Sequence, residues 1–331
     1  MKQALLLGLC RCLVGKDPYR GTVKRSIGAR LLGKLNLTRR YVTSYYRSRK
    51  RPKLFENVKT YCMLFGHCKS GGSLTSGLLD AHPNAILPDE EDVLQYLWVG
   101  FTRDQILQQL LRRSRKQAKV GRRDCGRPAY LVPGQWQGRY EKLLVIGHNK
   151  GGTSTQRIAQ DPALLDGLRD ILRGIKVKLI HIVRNPYDVV SAMHLRSGRN
   201  LASGIEYYFA NCEAILNIQK RTDSSEMLMV RHEEFIAHPR IGLRAICHFL
   251  GIEASDDYLD ACESLIHKSL APPRSKVRWD PRLVQIVRSK LEKYDFLQGY
   301  TYETQPNVPH SECLPAGQFG SVNYASSLGH E

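Results

Sequence analysis

Three stretches of the chain consist mainly of apolar residues, a pattern typical of strands that are buried in a parallel sheet. They cover residues 61–65, 143–146 and 177–183. The first two runs end at a glycine and the third ends at Arg184. The sequence therefore predicts three buried strands. In parallel α/β sheets ligands bind beyond the carboxyl ends of the strands, so the residues just after these runs are the first candidates for a site.

Helical patterns separate and follow these strands. One helix is predicted directly after the first strand, ending near Ala81, and another over residues 162–173, closed by Gly174. Asp280 suits the N-cap of the last predicted helix. The remaining predicted helices cover residues 188–196, 202–220, 239–250 and 281–293. The alternation of strand, turn and helix indicates an α/β protein, which we expect to be a three-layer sandwich with a central parallel sheet.

The composition excludes two classes of protein. With 42% hydrophobic residues, the chain has enough apolar side chains for a core, so disorder throughout is excluded. A membrane-spanning helix needs about 18 or more consecutive apolar residues, and the longest run near the start, residues 4–10, breaks at Arg11. We therefore expect no transmembrane segment.

The net charge of +19 is concentrated in two segments. Residues 1–54 contain fifteen basic residues and one acidic residue, and residues 111–128 contain eight basic residues and one acidic residue. Such a leader fits a targeting segment, a surface for anionic polymers or lipid headgroups, or a solvated tail. We expect a partly disordered or targeting leader over residues 1–54, a folded domain over residues 55–303, and a disordered tail, poor in aliphatic residues, over residues 304–331.

Nine scattered cysteines form neither a dense disulfide framework nor a paired zinc motif. They suit buried thiols in a reducing compartment. We therefore expect a cytoplasmic protein, with a mitochondrion or plastid as the alternative if the basic leader is a targeting signal. A Golgi location is a further alternative.

The segment between the first strand and the first predicted helix has the features of a phosphate-binding turn. It contains Lys69, Ser70, Gly71, Gly72 and Ser73. Glycines let the backbone approach a ligand, a helix N-terminus presents free N–H groups to an anion, and lysine adds positive charge. A plain strand-to-helix turn is the alternative interpretation.

This turn differs from that of nucleoside triphosphatases, in which lysine directly precedes a Ser or Thr. Here Lys69 lies four positions before Ser73. The strand over residues 177–183 also continues into Arg184 instead of ending in an aspartate that would organise magnesium. The sequence thus indicates direct pairing of phosphate with Arg184, without a metal.

Two motifs carry a resemblance to a known family. Residues 69–73 read Lys-Ser-Gly-Gly-Ser between a strand and a helix, and residues 183–188 read Val-Arg-Asn-Pro-Tyr-Asp where a strand runs into a helix. In this order they resemble the signature of the sulfotransferases that use 3′-phosphoadenosine 5′-phosphosulfate (PAPS). The likeness extends roughly over residues 60–303. It implies a P-loop-like sulfotransferase fold and the transfer of a sulfonate group from PAPS to a hydroxyl group of a carbohydrate or small molecule.

The resemblance also implies individual roles. Lys69 and the backbone of the loop would hold the 5′-phosphosulfate, and Arg184 would pair with the 3′-phosphate, for which its planar fork is suited. Two positions depart from the family pattern, because Gly72 and Ala192 stand where the family has hydroxyl residues. The residues implied in donor binding are Lys69, Ser70, Gly71, Gly72, Ser73, Arg184, Ser191 and Arg274. No metal is implied.

Sulfonate transfer requires a base for the proton of the acceptor and a cation for the leaving oxygen. Glu90 matches the position of the base in glutamate-using relatives, although residues 89–92 also read as an acidic first turn of a helix. His148, after the second strand, is the rival base. Lys69 is the catalytic cation, with Lys150 as an alternative support for the leaving oxygen.

Other function classes remain open at this point. The clustered basic residues also fit a polyanion- or nucleic-acid-binding protein, although no nucleic-acid-binding motif accompanies them. A nucleotide kinase or other nucleoside triphosphatase on a related fold is a further alternative, and so is an inactive relative that has lost the hydroxyl residues. The sequence does not identify the acceptor.

Overall fold

The structure is a computed structural model that describes residues 2–13, 27–122, 130–266 and 272–303. Its strands are β1 (Thr60–Gly66), β2 (Ala85–Ile86), β3 (Val145–Asn149), β4 (Lys176–Val183) and β5 (Met227–Arg231). In hydrogen-bonded order β2, β3 and β1 are neighbours, and β4 lies beside β5. The expected disordered tail, residues 304–331, lies outside the described residues.

The chain divides into two units, which are residues 1–65 with 72–177 and residues 66–71 with 178–331. The helices that belong to the first unit are α1 (Lys2–Leu13), α2 (Ile27–Lys50), α3 (Gly72–Asp80), α4 (Val93–Val99), α5 (Arg103–Lys119), α6 (Gly152–Gln160) and α7 (Ala163–Ile171). Those of the second unit are α8 (Pro186–Ser197), α9 (Leu201–Gln219), α10 (His232–Ala237), α11 (Pro239–Leu250), α12 (Asp256–Ser264) and α13 (Pro281–Leu291). None of these helices combines the length and the hydropathy that a membrane span requires.

In the first unit, β3 pairs in parallel with both β1 and β2. Every residue of β1 and β3 is buried. Gly147 pairs with Cys62, at a place where a Cβ atom would come within 2.0 Å of the Cys62 carbonyl oxygen. A side chain has no room at this position, so the strand accommodates only glycine here. The prediction that the strand ends at residue 146 was wrong, because β3 extends through His148 and Asn149.

The leader contains two helices that the sequence did not predict, and its residues 14–26 lie outside the described ranges. Helix α1 packs on α2, where a Cβ atom at Gly8 would overlap the ring of Tyr41, and Lys34 Nζ donates a hydrogen bond to the carbonyl oxygen of Leu13 (2.9 Å). Helix α2 in turn packs on α5, from which Gln105 Nε2 donates to the carbonyl oxygen of Tyr41 (3.1 Å). The described part of the leader is thus folded onto the first unit.

The second unit contains the parallel pair of β4 and β5. Helix α8 follows β4 directly, with Asn185 as N-cap and Gly198 as a left-handed C-cap (φ 66°). At the start of α13 the side chain of Asp280 accepts a hydrogen bond from the backbone N–H of Arg282 (2.8 Å), as predicted. The parallel strands and the helices that follow them confirm the α/β class.

A buried carboxylate joins the end of α3 to α5 and the segment after it. Asp80 Oδ1 accepts hydrogen bonds from the backbone N–H of Leu87 (2.7 Å) and from Ser114 Oγ (2.8 Å). Its Oδ2 accepts from Arg122 Nη1 (2.5 Å), and both side chains of this ion pair are almost fully buried. Removal of one partner of such a pair leaves the other charge buried without compensation.

Asp80→Asn should therefore lower the free energy of unfolding by about 3–5 kcal/mol, because Arg122 would keep its charge in the interior without a counter-charge. Chemical denaturation measures this change. Asp170→Asn is the matched control, since its ion pair with Arg173 is exposed, and it should cost less than about 1 kcal/mol. Similar costs for the two variants would contradict the prediction.

Candidate functional site

The loop between β1 and α3 has a backbone that requires glycine at two positions. Gly66 (φ 125°) and Gly71 (φ 111°) lie in the region that disfavours other residues. A Cβ atom at Gly66 would come within 2.8 Å of the carbonyl oxygen of Ile182, and one at Gly71 within 2.4 Å of His232 Nδ1. Lys69 is also left-handed (φ 68°). Such changes in the sign of φ turn successive N–H groups into an anion-binding concavity.

The hydroxyl group of Ser70 is used inside this loop. Ser70 is buried, and its Oγ donates a hydrogen bond to the carbonyl oxygen of His67 (2.7 Å). This bond closes the loop and stabilises its turn. Ser70 therefore remains a candidate for ligand binding through its backbone N–H and not through its side chain.

Arg184, the first residue after β4, lies against the same loop. Its Nη1 donates a hydrogen bond to the carbonyl oxygen of Lys69 (2.9 Å). Its Nε is buried and, among the residues that the structure describes, has no hydrogen-bond partner. The second unit thus brings together the lysine of the first motif and the arginine of the second. An unsatisfied guanidinium N–H is a group that an anion would satisfy.

A buried glutamate fixes the turn that carries Arg184. Glu233 Oε1 accepts a hydrogen bond from the backbone N–H of Asn185 (2.8 Å), and Glu233 Oε2 accepts one from the hydroxyl of Tyr300 (2.8 Å). Burial raises the pKa of Glu233. The sequence predicted no separate role for Glu233, and the signal that could have found it is the run of charged and polar residues 231–234 at the end of β5.

The imidazole of His232 lies beside Gly71. Burial lowers the pKa of His232 to about 3, with Arg184 adding to the shift. Its Nδ1 is buried and has no partner within the described ranges. His232 is therefore an uncharged side chain at neutral pH, and it adds no positive charge next to the loop.

Ser191 and Arg274 have structural partners. Ser191 is buried, and its Oγ accepts a hydrogen bond from Trp279 Nε1 (2.9 Å). Arg274 Nη1 donates to Asp188 Oδ2 (2.6 Å), and its Nε donates to the carbonyl oxygen of Tyr302 (2.8 Å). These contacts hold α8 to the later part of the chain. Roles for Ser191 and Arg274 at a 3′-phosphate stay predictions.

In the first unit, Gly72 and Ser73 open α3, and Asn149 lies beside Gly72. A Cβ atom at Gly72 would come within 2.8 Å of Asn149 Oδ1. Asn149 Nδ2 donates a hydrogen bond to Asp89 Oδ1 (2.6 Å), which fixes the orientation of the carboxamide. Asn149 Oδ1 is buried without a partner in the described part of the chain. The side chain of Asn149 therefore occupies the space that a hydroxyl residue at position 72 would need.

Glu90 is positioned by the end of β3. Its backbone is left-handed (φ 60°), and its N–H donates a hydrogen bond to the carbonyl oxygen of Asn149 (2.7 Å). The carboxylate of Glu90 forms an ion pair with Lys150, and both side chains are partly exposed. A non-glycine residue in this conformation costs about 1–3 kcal/mol and persists where the surroundings fix it, often at functional sites.

The other carboxylates of the acidic segment have structural partners. Asp92 is the N-cap of α4 and pairs with Arg157 (2.8 Å), and Glu91 pairs with Arg40 (2.5 Å). The exposed fraction of the side chain is 29% for Glu90, 20% for Asp92 and 2% for Glu91. The interpretation of the segment as a helix start thus fits Asp92, and Glu90 is the most exposed of these three carboxylates.

His148 lies inside β3, where the sequence had placed it after the strand. Its side chain is fully buried, and its Nδ1 shares a hydrogen bond with the hydroxyl of Tyr61 (2.9 Å). Burial lowers the pKa of His148 to about 3, with Lys150 adding to the shift. The imidazole is therefore uncharged at neutral pH and has no access to solvent.

A strand, a left-handed loop with a lysine, and an arginine that rests on this loop are features of α/β proteins that bind phosphate-like anions. The chain belongs to the sulfotransferase family, because the profile of that family matches residues 62–257, more than half of the chain. This family match confirms the resemblance that the two motifs indicated.

The chain is also similar to several solved sulfotransferase structures, at low sequence identity. One is the sulfotransferase domain of the Synechococcus PCC 7002 olefin synthase, which is 22% identical over 69% of this chain and 83% of that one, with a TM-score of 0.42. Another is sulfotransferase STF1 of Mycobacterium tuberculosis H37Rv, at 12% identity over 87% and 91%, with a TM-score of 0.46. Mouse sulfotransferase SULT7A1 complexed with PAP is 14% identical over 73% and 87%, with a TM-score of 0.42. No curated protein sequence matches the chain significantly.

Gly72→Ser should lower the free energy of unfolding by about 1–3 kcal/mol, because the added side chain would collide with Asn149. The cost should be smaller when Asn149 is replaced by alanine, so a double-mutant cycle by chemical denaturation measures the coupling. Gly167→Ser is the control, because nothing lies within 4 Å of a Cβ atom there. Equal costs of Gly72→Ser in both backgrounds would contradict the clash.

The buried His148 should make the fold sensitive to acid. Its pKa is about 3 in the folded protein and about 6.5 when unfolded, so the unfolded chain binds the proton first and stability falls as pH drops from about 6.5 towards 3. His148→Gln should reduce this slope by up to about 1.4 kcal/mol per pH unit. Urea unfolding across pH measures it, with exposed His248→Gln as the control. An unchanged slope in His148→Gln would show that His148 is not protonated on unfolding.

Proposed function

We propose that this chain transfers a sulfonate group from PAPS to a hydroxyl group of a carbohydrate or small molecule. Membership of the sulfotransferase family supports the reaction class. The observation that carries the proposal is the hydrogen bond from Arg184 to the carbonyl oxygen of Lys69. It joins the two motifs that the family uses at the two ends of the donor.

The residues around this contact fit a doubly phosphorylated adenosine. Arg184 has a buried Nε without a partner in the described ranges, and a phosphate oxygen would accept from it. Lys69 and the backbone N–H groups of the left-handed loop suit the 5′ side of the donor, whereas the planar fork of Arg184 suits the 3′-phosphate. The donor, when bound, supplies the sulfonate group. We also propose that its binding requires no metal.

Glu90 is the proposed base. Its carboxylate forms an ion pair with Lys150 and is partly exposed, so an acceptor hydroxyl that approaches from solvent reaches it. Lys150 fixes the orientation of the carboxylate. The rival His148 is enclosed by the strand and bonded to Tyr61, which favours Glu90. General-base catalysis contributes about 10²–10⁴-fold to such reactions.

Binding of adenosine 3′,5′-bisphosphate, measured by calorimetry with EDTA present, tests the donor site. Arg184→Ala and Lys69→Ala should each raise Kd by about 10–150-fold, because a charge-assisted hydrogen bond contributes about 1.5–3 kcal/mol. Arg184→Lys keeps the charge without the fork, and Arg282→Ala is an exposed control that should bind as the wild type does. Protection by magnesium ATP, with no binding of the bisphosphate, would favour a nucleoside triphosphatase instead.

Transfer of radiolabelled sulfonate from PAPS to a panel of sugars, phenols and steroids tests the reaction. Glu90→Gln should reduce turnover by about 10²–10⁴-fold with an unchanged Kd for the bisphosphate, and exposed Glu141→Gln should be neutral. Near-normal turnover in Glu90→Gln would assign the base to His148. Binding of the donor without transfer to any acceptor would favour an inactive relative.

A further inference from the structure

The exposed large apolar side chains of the first unit are concentrated on its two N-terminal helices. Within the described ranges, three other helices expose a large apolar side chain, and each exposes only one: Leu195 on α8, Ile241 on α11 and Ile286 on α13. Single exposed leucines are normal on a protein surface, whereas a group of them marks an interaction site. The six leucines, with exposed fractions between 47% and 69%, are Leu6, Leu7 and Leu13 on α1 and Leu31, Leu32 and Leu35 on α2.

These leucines lie on the sides of the helices that face away from the protein. Helix α1 uses Gly8 and Cys12 for its contact with the remainder of the unit, and both are buried. With about 100° of rotation per residue, the leucines of α1 fall on the opposite side. In α2 the buried residues are Tyr41 and Ser44, and its three leucines share an arc of about 100° away from them. Among the residues that the structure describes, packing within the unit leaves the leucine side of each helix exposed.

Basic residues extend the exposed leucine side of α2 towards the end of that helix. Arg39, Arg49 and Lys50 are exposed and fall in the same arc of about 100° as the leucines. Tyr46, 58% exposed, lies between them. Neither α1 nor α2 contains an acidic residue. We call this surface, formed by the three leucines of α2, Tyr46 and these three basic residues, the outer face of α2.

Leucines beside lysines and arginines, with no acid among them, suit the boundary between lipid headgroups and acyl chains. The leucines would enter the acyl boundary while the basic side chains reach anionic headgroups. A nucleic acid or acidic glycan would use the basic residues and leave the leucines exposed to water. A second copy of the chain would bring two positive surfaces together, which is unfavourable.

We propose that the outer face of α2 binds the surface of a bilayer that contains anionic lipids. Helix α2 lies on the bilayer and does not cross it, since it does not combine the length and hydropathy of a span. The face is joined firmly to the first unit through Lys34, which bonds to Leu13 O, and through Gln105, which bonds to Tyr41 O. Attachment at this face therefore holds the whole first unit at the membrane surface. This inference is independent of the sulfotransferase reaction.

Vesicle flotation with the full chain tests the proposal. Vesicles of phosphatidylcholine alone are compared with vesicles of phosphatidylcholine and phosphatidylglycerol, each at low and high salt. We expect binding to the anionic vesicles, weakened by salt because screening shortens the range of the charge interaction, and much weaker binding to the neutral ones. Equal binding to both vesicle types, or to neither, would overturn the proposal.

Two variants separate the apolar and the basic contributions. The first combines Leu31→Gln, Leu32→Gln and Leu35→Gln, and the second combines Arg39→Gln, Arg49→Gln and Lys50→Gln. Glutamine keeps a high helix propensity, so both should retain the wild-type melting temperature. We expect the first to weaken binding about 10-fold or more through lost apolar burial. The second should weaken it about 100-fold, because each of its three basic residues near an anionic surface contributes about fivefold at low salt.

Matched controls replace exposed aliphatic or basic residues elsewhere in the chain by glutamine. One combines Leu195→Gln, Ile241→Gln and Ile286→Gln, and the other combines Lys220→Gln, Arg282→Gln and Arg288→Gln. Both should bind vesicles as the wild type does. Full binding of vesicles by the outer-face variants would contradict a lipid-binding face. A dimer, detected by light scattering, that only the leucine variant dissociates would indicate a second copy of the chain instead. Binding to heparin that the leucine substitutions do not change, together with no binding to vesicles, would indicate a polyanion instead.

Discussion

The hydrogen bond between Arg184 and the carbonyl oxygen of Lys69 is the contact on which the candidate donor site depends. It exists because Lys69 takes a left-handed conformation that turns its carbonyl group towards the arginine, and because Gly71 allows the chain to pass His232 closely. On the other side, buried Glu233 fixes the turn after the arginine. A loop and a turn more than a hundred residues apart in sequence are thereby held together as one candidate site for an anion.

The parts of the fold that sequence predicts well are those in which one local property decides the structure. Strands β1 and β4 are predicted from runs of mainly apolar residues that reflect their burial in the sheet, and the N-cap Asp280 acts within a few residues of itself. The end of β3 was missed for the opposite reason. Gly147 lies inside the strand because the carbonyl group of Cys62 on the neighbouring strand leaves no room for a side chain there. A single segment contains no information about that neighbour.

The site residues divide in the same way. The loop and Arg184 belong to local motifs, and the sequence indicates them directly. The partners of Ser191 and Arg274, which are Trp279 and Asp188, depend on tertiary packing between distant segments. Helix α2 was missed because an amphipathic pattern is recognised by an apolar stripe that faces the core. Its three exposed leucines face outward, so the apolar pattern of this helix does not indicate which of its sides is buried.

The carboxamide of Asn149 fills the space beside Gly72 and is held there by Asp89. This arrangement makes the two positions interdependent over evolutionary time. A lineage that gains a hydroxyl residue at position 72 retains more stability when the side chain at position 149 is shortened first, because the reverse order passes through an intermediate with a steric clash. Relatives of this chain should therefore divide into two groups, one with glycine and asparagine at these positions and one with a hydroxyl residue and a smaller partner.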